Sequence, residues 1–209
     1  KIIDATCPLV TKVHNEALKY SKEGRKIILI GHRDHQEVIG TMGQADMILI
    51  DDREKNNIPK LNNSESIAVL SQTTLSIDDT KSISNKLKQK FKNSIIRNDI
   101  CYAVTNRQNA VKNLTKFVEI IIVVGSETSS NCVRLKEMSE SHGTPSFLVN
   151  SVEEIKDMDL NKYNKIGITS GASTPEVLID EFISYIQPSK IDIVGESEKD
   201  INFVLPDEV

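Results

Sequence analysis

Four times along this chain a short apolar run ends in a glycine- or hydroxyl-rich turn and then opens an amphipathic stretch. Residues 26–37 (KIILIGHRDHQE), 67–79 (IAVLSQTTLSIDD), 118–135 (VEIIIVVGSETSSNCVRL) and 165–178 (KIGITSGASTPEVL) share this form. Apolar runs bounded by turn residues and followed by helical periodicity predict strands alternating with helices, hence parallel sheets joined by right-handed crossovers. Such α/β sheets bind ligands outside the carboxyl ends of their strands, where helix N-termini offer N–H groups to anions. His32, His35, Glu37, Thr73, Ser129, Asn131 and Ser173 all fall at these junctions and read as one polar pocket for a phosphorylated ligand.

The pattern predicts a helix over 8–22, with Pro8 in its first turn and Gly24 at its stop. A strand at 26–30, a short helix near 37–42 and a strand at 47–50 follow; the polar stretch 51–64 reads as a surface connection. Next come a strand at 67–70, a helix over 76–91 begun by Ser76 and Asp79, and a strand at 94–97. Thr105 and Gln108 form a capping box, which predicts a helix over 106–115. Strand 118–124, helix 131–140 and segments 146–149, 151–156 and 165–169 continue the alternation. Thr174 as N-cap and Pro175 behind it open a helix over 176–186. The order strand–helix–strand–strand–helix recurs around residue 98. It predicts two similar α/β domains with mainly parallel sheets, 1–98 and 99–187, and an acidic arm at 188–209 packing on the surface.

Composition excludes several classes of function. The 209 residues are 38% hydrophobic and 27% charged, which suits a globular chain able to bury a real core. Net charge is −4 and lysines are spread over polar helix faces, so nucleic acid and anionic membrane are not expected partners. The apolar stretch 120–124 is far too short to span a bilayer. Three cysteines, Cys7, Cys101 and Cys132, are an odd and sparse set unlike a secreted disulfide framework, and no signal peptide is visible. A reducing cytoplasm is therefore expected. The start at Lys1, without methionine, reads as a fragment or a processed chain.

Cys7 stands at the mouth of the first helix and Cys101 four residues before the box at Thr105. A helix N-terminus favours thiolate, which makes a metal ligand or a nucleophile, and a cysteine followed by proline also recurs at iron–sulfur ligands. No C-x-x-C pair is present, so buried structural thiols remain the alternative. His32 and His35 suit either a metal or hydrogen bonds to an anion. Glu37 can carry a proton if burial raises its pKa, or can simply cap the helix. His14 and His142 read as helix-surface residues. Residues 126–131 (SETSSN) and 170–174 (SGAST) offer the hydroxyls, amide and helix-start N–H groups that a phosphate needs.

The segments DATCPLVTKVH (4–14), GHRDHQEVIGTMGQ (31–44), SQTTLSIDDT (71–80), DICYAVTNRQ (99–108), GSETSSNCVRL (125–135) and TSGASTPE (169–176) resemble the 4-hydroxy-3-methylbut-2-enyl diphosphate reductase family. The resemblance runs from Ile2 through the tail, including Gly195-Glu196-Ser197 and Leu205-Pro206. It implies part of a three-domain, trefoil-like α/β protein around a 4Fe-4S cluster held by three cysteines. Cys7 and Cys101 match two of these ligands, and the third is expected from an N-terminal segment outside this sequence. The implied reaction is reductive dehydroxylation to isopentenyl and dimethylallyl diphosphates, the last step of the non-mevalonate isoprenoid pathway, with flavodoxin or ferredoxin as electron carrier. By the same match Glu37 is the proton donor, Thr73 orients the substrate hydroxyl, and His35, Ser129, Ser130, Asn131 and Ser173 hold the diphosphate. The fragment is expected to be inactive alone, to hold the cluster poorly and to be poorly soluble. Cys132 departs from the family pattern and is expected to be an ordinary, partly buried cysteine. Two rival readings are a non-catalytic α/β module binding a phosphorylated metabolite, and a hydrolase or transferase with Cys7 as nucleophile.

Overall fold

The computed structural model describes residues 3–54 and 58–195. The chain divides into two compact units, the first running through Cys101 and the second beginning at Tyr102. In the first, helix α1 (Pro8–Lys22) precedes β1 (Lys26–Ile30), α2 (Gln36–Met42), β2 (Met47–Ile50), β3 (Ile67–Ser71), α3 (Ile77–Lys90) and β4 (Ser94–Ile96). The strands lie in the order β2-β1-β3-β4, each parallel to its neighbours. Both faces are covered, which is why β1 and β3 read as unbroken apolar runs rather than alternating ones. Ile27 and Leu29 pack with Val13, Ala17 and Tyr20 of α1 and Val38 of α2, while Ile28 and Ile30 pack with Leu87 of α3 and Phe91.

The second unit repeats this plan with one strand fewer. It contains α4 (Tyr102–Leu114), β5 (Ile120–Val124), α5 (Ser130–Ser141), β6 (Ser146–Val149), β7 (Ile166–Ser170) and α6 (Glu176–Ile186). The sheet order is β6-β5-β7, again parallel throughout. Ile121 and Val123 face Val111 of α4 and Leu135 and Met138 of α5; Ile122 and Val124 face Phe182 of α6 and Ile155.

In each sheet the chain leaves a central strand toward one side and comes back across it to the other. The central pairs β1/β3 and β5/β7 are therefore topological switch points, whose crevices open at the strand carboxyl ends. Equivalent backbone bonds tie the loops there. Gly31 donates to the Ile50 carbonyl at 2.9 Å and Gln72 to that of Ile30 at 2.8 Å. Gly125 donates to Val149 at 2.8 Å and Gly171 to Val124 at 3.2 Å.

Three local expectations are corrected. Helix α4 begins at Tyr102, so Thr105 lies inside it instead of capping it. The Cys101 N–H donates to the Thr73 carbonyl at 3.0 Å, fixing the chain at Cys101 and letting the helix start at the next residue. Pro175, not Thr174, is the N-cap of α6, because the Thr174 hydroxyl donates to the Val124 carbonyl at 3.1 Å. Residues 151–156 contain a 3₁₀ turn, Val152–Ile155, that buries Ile155. Residues 188–195 of the expected arm are neither helix nor strand, and 196–209 lie outside the described residues, as do 55–57 of the surface connection. Among the described residues no helix is long and apolar enough to cross a membrane.

Candidate active site at the two switch points

At the β1/β3 switch point the loop after β1 ends in His35 and the first turn of α2 carries Glu37, while the loop after β3 carries Thr73. Both Glu37 oxygens are engaged by that one residue: the Thr73 N–H donates to Oε1 at 2.6 Å and its hydroxyl to Oε2 at 3.0 Å. Burial raises the Glu37 pKa above the usual carboxylate value, Thr73's two bonds oppose the rise, and nearby Asp99 adds to it. A carboxyl poised in this way between solvent loss and two donors is suited to holding and releasing a proton.

His35 is the N-cap of α2, and its Nδ1 accepts the Glu37 N–H at 3.2 Å. A ring nitrogen that accepts carries no hydrogen, so the neutral ring bears its proton on Nε2. Burial, reinforced by His32, lowers the His35 pKa and keeps the ring neutral. His35 is thus a neutral donor one residue from the capped helix start. His32 is held differently: its N–H donates to Gln72 Oε1 at 3.0 Å and its Nε2 lies 2.9 Å from Asp52 Oδ1. Among the described residues, His32, Asp51 and Asp52 bring ligand atoms within 4.8 Å of one another. The Asp51 carboxylate is already taken by Arg53, at 2.8 and 2.5 Å, and by the N–H groups of Arg33 and Arg53. A cation there would have to displace a guanidinium.

The thiols of the first unit flank the same edge. The turn at 23–25 reverses α1 onto β1, so Cys7, at the far end of α1, comes to the carboxyl edge of the sheet. Cys7 is the N-cap residue, exposed, with its carbonyl accepting the N–H groups of Val10 and Thr11. Cys101 immediately precedes α4 and is half-buried, tied by its N–H to Thr73. None of the three cysteines is in a disulfide. Two sulfur donors at helix starts, Cys7 exposed and Cys101 tied through its N–H to Thr73, fit an iron–sulfur cluster as part of its ligand set.

At the β5/β7 switch point the loops 125–129 and 171–174 meet. Ser129 caps α5, its hydroxyl accepting the Cys132 N–H at 3.4 Å, and Ser130 and Asn131 form the first turn behind it. Asn131 is 4% exposed, yet neither its amide nitrogen nor its oxygen has a hydrogen-bond partner. A buried carboxamide left unpaired costs about 1–3 kcal/mol, which makes Asn131 a candidate for bonding to a group from outside the chain. Ser173 is exposed in the facing turn. Cys132 is fully buried rather than partly so: a Cβ added to either Gly125 or Gly171 would lie 2.4 Å from its Sγ. Its thiol is packing between two loops, which sequence reasoning did not reveal; the two flanking glycines are the only local sign of it.

Sequence reasoning also passed over Asp99. It is 6% exposed, its Oδ2 accepts the Ser71 N–H at 3.3 Å, and burial, with Glu16 nearby, pushes its pKa up to about 6. An acidic residue two positions before a candidate ligand cysteine was the available signal.

A family model described as LytB protein matches residues 1–187. The 4-hydroxy-3-methylbut-2-enyl diphosphate reductase of Pseudomonas syringae pv. syringae is 42% identical over the whole chain, and that of Glaesserella parasuis is 43% identical, each covered over 70% of its length. The solved structure of the E-1-hydroxy-2-methyl-but-2-enyl-4-diphosphate reductase from Plasmodium falciparum superposes with a TM-score of 0.89 at 36% identity, covering 99% of this chain and 68% of that one. A second solved structure, described as (E)-4-hydroxy-3-methyl-but-2-enyl diphosphate reductase, the terminal enzyme of the non-mevalonate pathway, gives a TM-score of 0.58 at 31% identity over 90% of this chain. With the family matched over most of its length and these relatives matched over all of it, the chain belongs to the LytB protein family.

Proposed function

We propose that this chain is an oxidoreductase that removes the hydroxyl of 4-hydroxy-3-methylbut-2-enyl diphosphate, the compound its relatives are named for, to give isopentenyl and dimethylallyl diphosphates. The observation that carries the reading is the buried Glu37 carboxyl clasped by Thr73 beside Cys101. A 4Fe-4S cluster held in part by Cys7 and Cys101 would supply two electrons singly, drawn from a carrier such as flavodoxin or ferredoxin, and a Lewis-acidic iron. The chain's residues do the rest. Glu37 delivers a proton to the departing hydroxyl oxygen, which leaves as water. The two electrons and a second proton, taken up at one or the other end of the allylic carbon framework, complete the two products. Thr73 holds the carboxyl in place by donating to it, and its hydroxyl oxygen is free to accept the substrate's O–H. Ser129, Ser130, Asn131 and Ser173 receive the diphosphate together with the N–H groups opening α5, and the His35 Nε2–H adds a neutral donor.

The test uses the full-length enzyme reconstituted anaerobically with iron and sulfide. Glu37→Gln is expected to lower kcat by about 10²- to 10⁴-fold with KM little changed, because a proton is lost only from the chemical step. Protein that takes up no iron on reconstitution and yet binds the diphosphate tightly would favour a binding module instead.

A further inference from the structure

We propose that Lys12, Glu16, Arg97 and Asp99 form an ionic clasp that fixes the helix bearing Cys7 against the segment bearing Cys101, and so sets the separation of the two thiols. The inference rests on reading both cysteines as cluster ligands. Arg97 grips Glu16 with two bonds, Nε to Oε2 at 2.9 Å and Nη2 to Oε1 at 2.6 Å. Lys12 sits between the acids, 3.9 Å from Glu16 Oε1 and 3.7 Å from Asp99 Oδ1. The Asp99 side chain is 1% exposed; Oδ2 accepts from the Ser71 N–H, and Oδ1 has no hydrogen-bond partner and faces the Lys12 ammonium. Arg97 and Asp99 lie just upstream of Cys101, and Lys12 and Glu16 follow Cys7 on α1.

Apolar packing alone cannot supply this registration. Val13, Ala17 and Tyr20 press α1 onto the sheet, but burial of apolar area is non-directional and tolerates sliding along the helix axis. A planar guanidinium locked on a carboxylate has one geometry. Burying Asp99 is costly unless it is paired, so a chain that keeps it there gains by the position it fixes. These are positioning residues: they are set to hold the two ligand-bearing segments in register and take no part in the chemistry.

The experiment compares full-length wild type with Arg97→Met, Arg97→Lys and Glu16→Gln after anaerobic reconstitution. It reads iron bound per chain, the rate at which a ferrous chelator strips it, and the melting temperature of the iron-free proteins. We expect Arg97→Met and Glu16→Gln to lose iron about tenfold faster than wild type, as outer contacts of metal sites do. Arg97→Lys should fall in between, and the iron-free melting temperatures should stay within about 3 °C of wild type. Stripping within twofold of wild type in both Arg97→Met and Glu16→Gln overturns the clasp. So does iron loss that merely tracks the fraction unfolded. Wild type that binds no iron at all sinks the ligand reading beneath it, a different result from a loaded wild type with indifferent variants.

Discussion

Glu37, in the first turn of α2, and Asp51, just after β2, are acids that burial and bonding push in opposite directions. For Glu37, loss of solvent dominates and the folded pKa is raised. Its contribution to stability is fully present below the unfolded value, about 4.3, and is lost as pH rises through the folded value. The proton that the proposed donor role requires of Glu37 is lost over the same window. A kcat profile of the reconstituted enzyme should therefore fall on its alkaline side, and Glu37→Gln should flatten that limb at a much lower rate; an unchanged limb would remove Glu37 as the donor. For Asp51 the bonds from Arg53 come first and hold the carboxyl well below its ordinary range. Its contribution is present above about pH 4 and fades as pH falls further. Asp51→Asn should cost about 1–2 kcal/mol at pH 7, allowing for the half-exposed Arg53. Urea unfolding at pH 7 and pH 3 checks this: the deficit should shrink at the lower pH.

At the scale of elements, the loops after β5 and β7 are spaced by one sulfur atom. Gly171→Ala puts a methyl group 2.4 Å from the Cys132 Sγ, which should destabilise by about 1–3 kcal/mol as overpacking does. Adding Cys132→Ala makes room, so the double variant should lose about 1 kcal/mol less than the two single losses combined, measured as a thermodynamic cycle. Strict additivity would mean that the loops are not spaced by this contact. The sequence pattern carried the strands well: β1, β2 and β6 lie where apolar runs between turn residues put them. Central β1 is apolar from Ile27 to Ile30 because both its faces are covered, whereas edge strand β6 leaves Phe147 exposed. Helix starts were legible where the cap is local, as at Ser76, whose hydroxyl accepts the Asp79 N–H. They were misread where a distant group outbids the local box. The Thr73 carbonyl takes the Cys101 N–H and begins α4 early, and Val124 takes the Thr174 hydroxyl. Glu37 and Thr73 could be named separately, but their pairing across 36 residues follows only from strand order. Nothing in the letters around Asn131 says that its amide lacks a partner.

For the molecule as a whole, each unit has its own pair of apolar clusters, one on either face of its sheet. Phe91 anchors one cluster of the first unit and Phe182 one of the second, both fully buried. Replacing either by alanine should cost about 3–5 kcal/mol. Hydrogen exchange should show protection falling mainly in the unit that carries the change, as for separate cooperative blocks. Equal loss in both units would mean that the chain melts as one. The two sheets also share the order around their central strands, and matching main-chain bonds stitch their loops. The crevice of the first sheet carries an acid and an imidazole, Glu37 and His35, and that of the second carries alcohols and an amide, Ser129, Ser130 and Asn131. Because strand order and loop bonds match beneath the two crevices, polar turns transplanted from one unit into the other should still fold, which would let an engineer exchange the acid and imidazole of one for the alcohols and amide of the other.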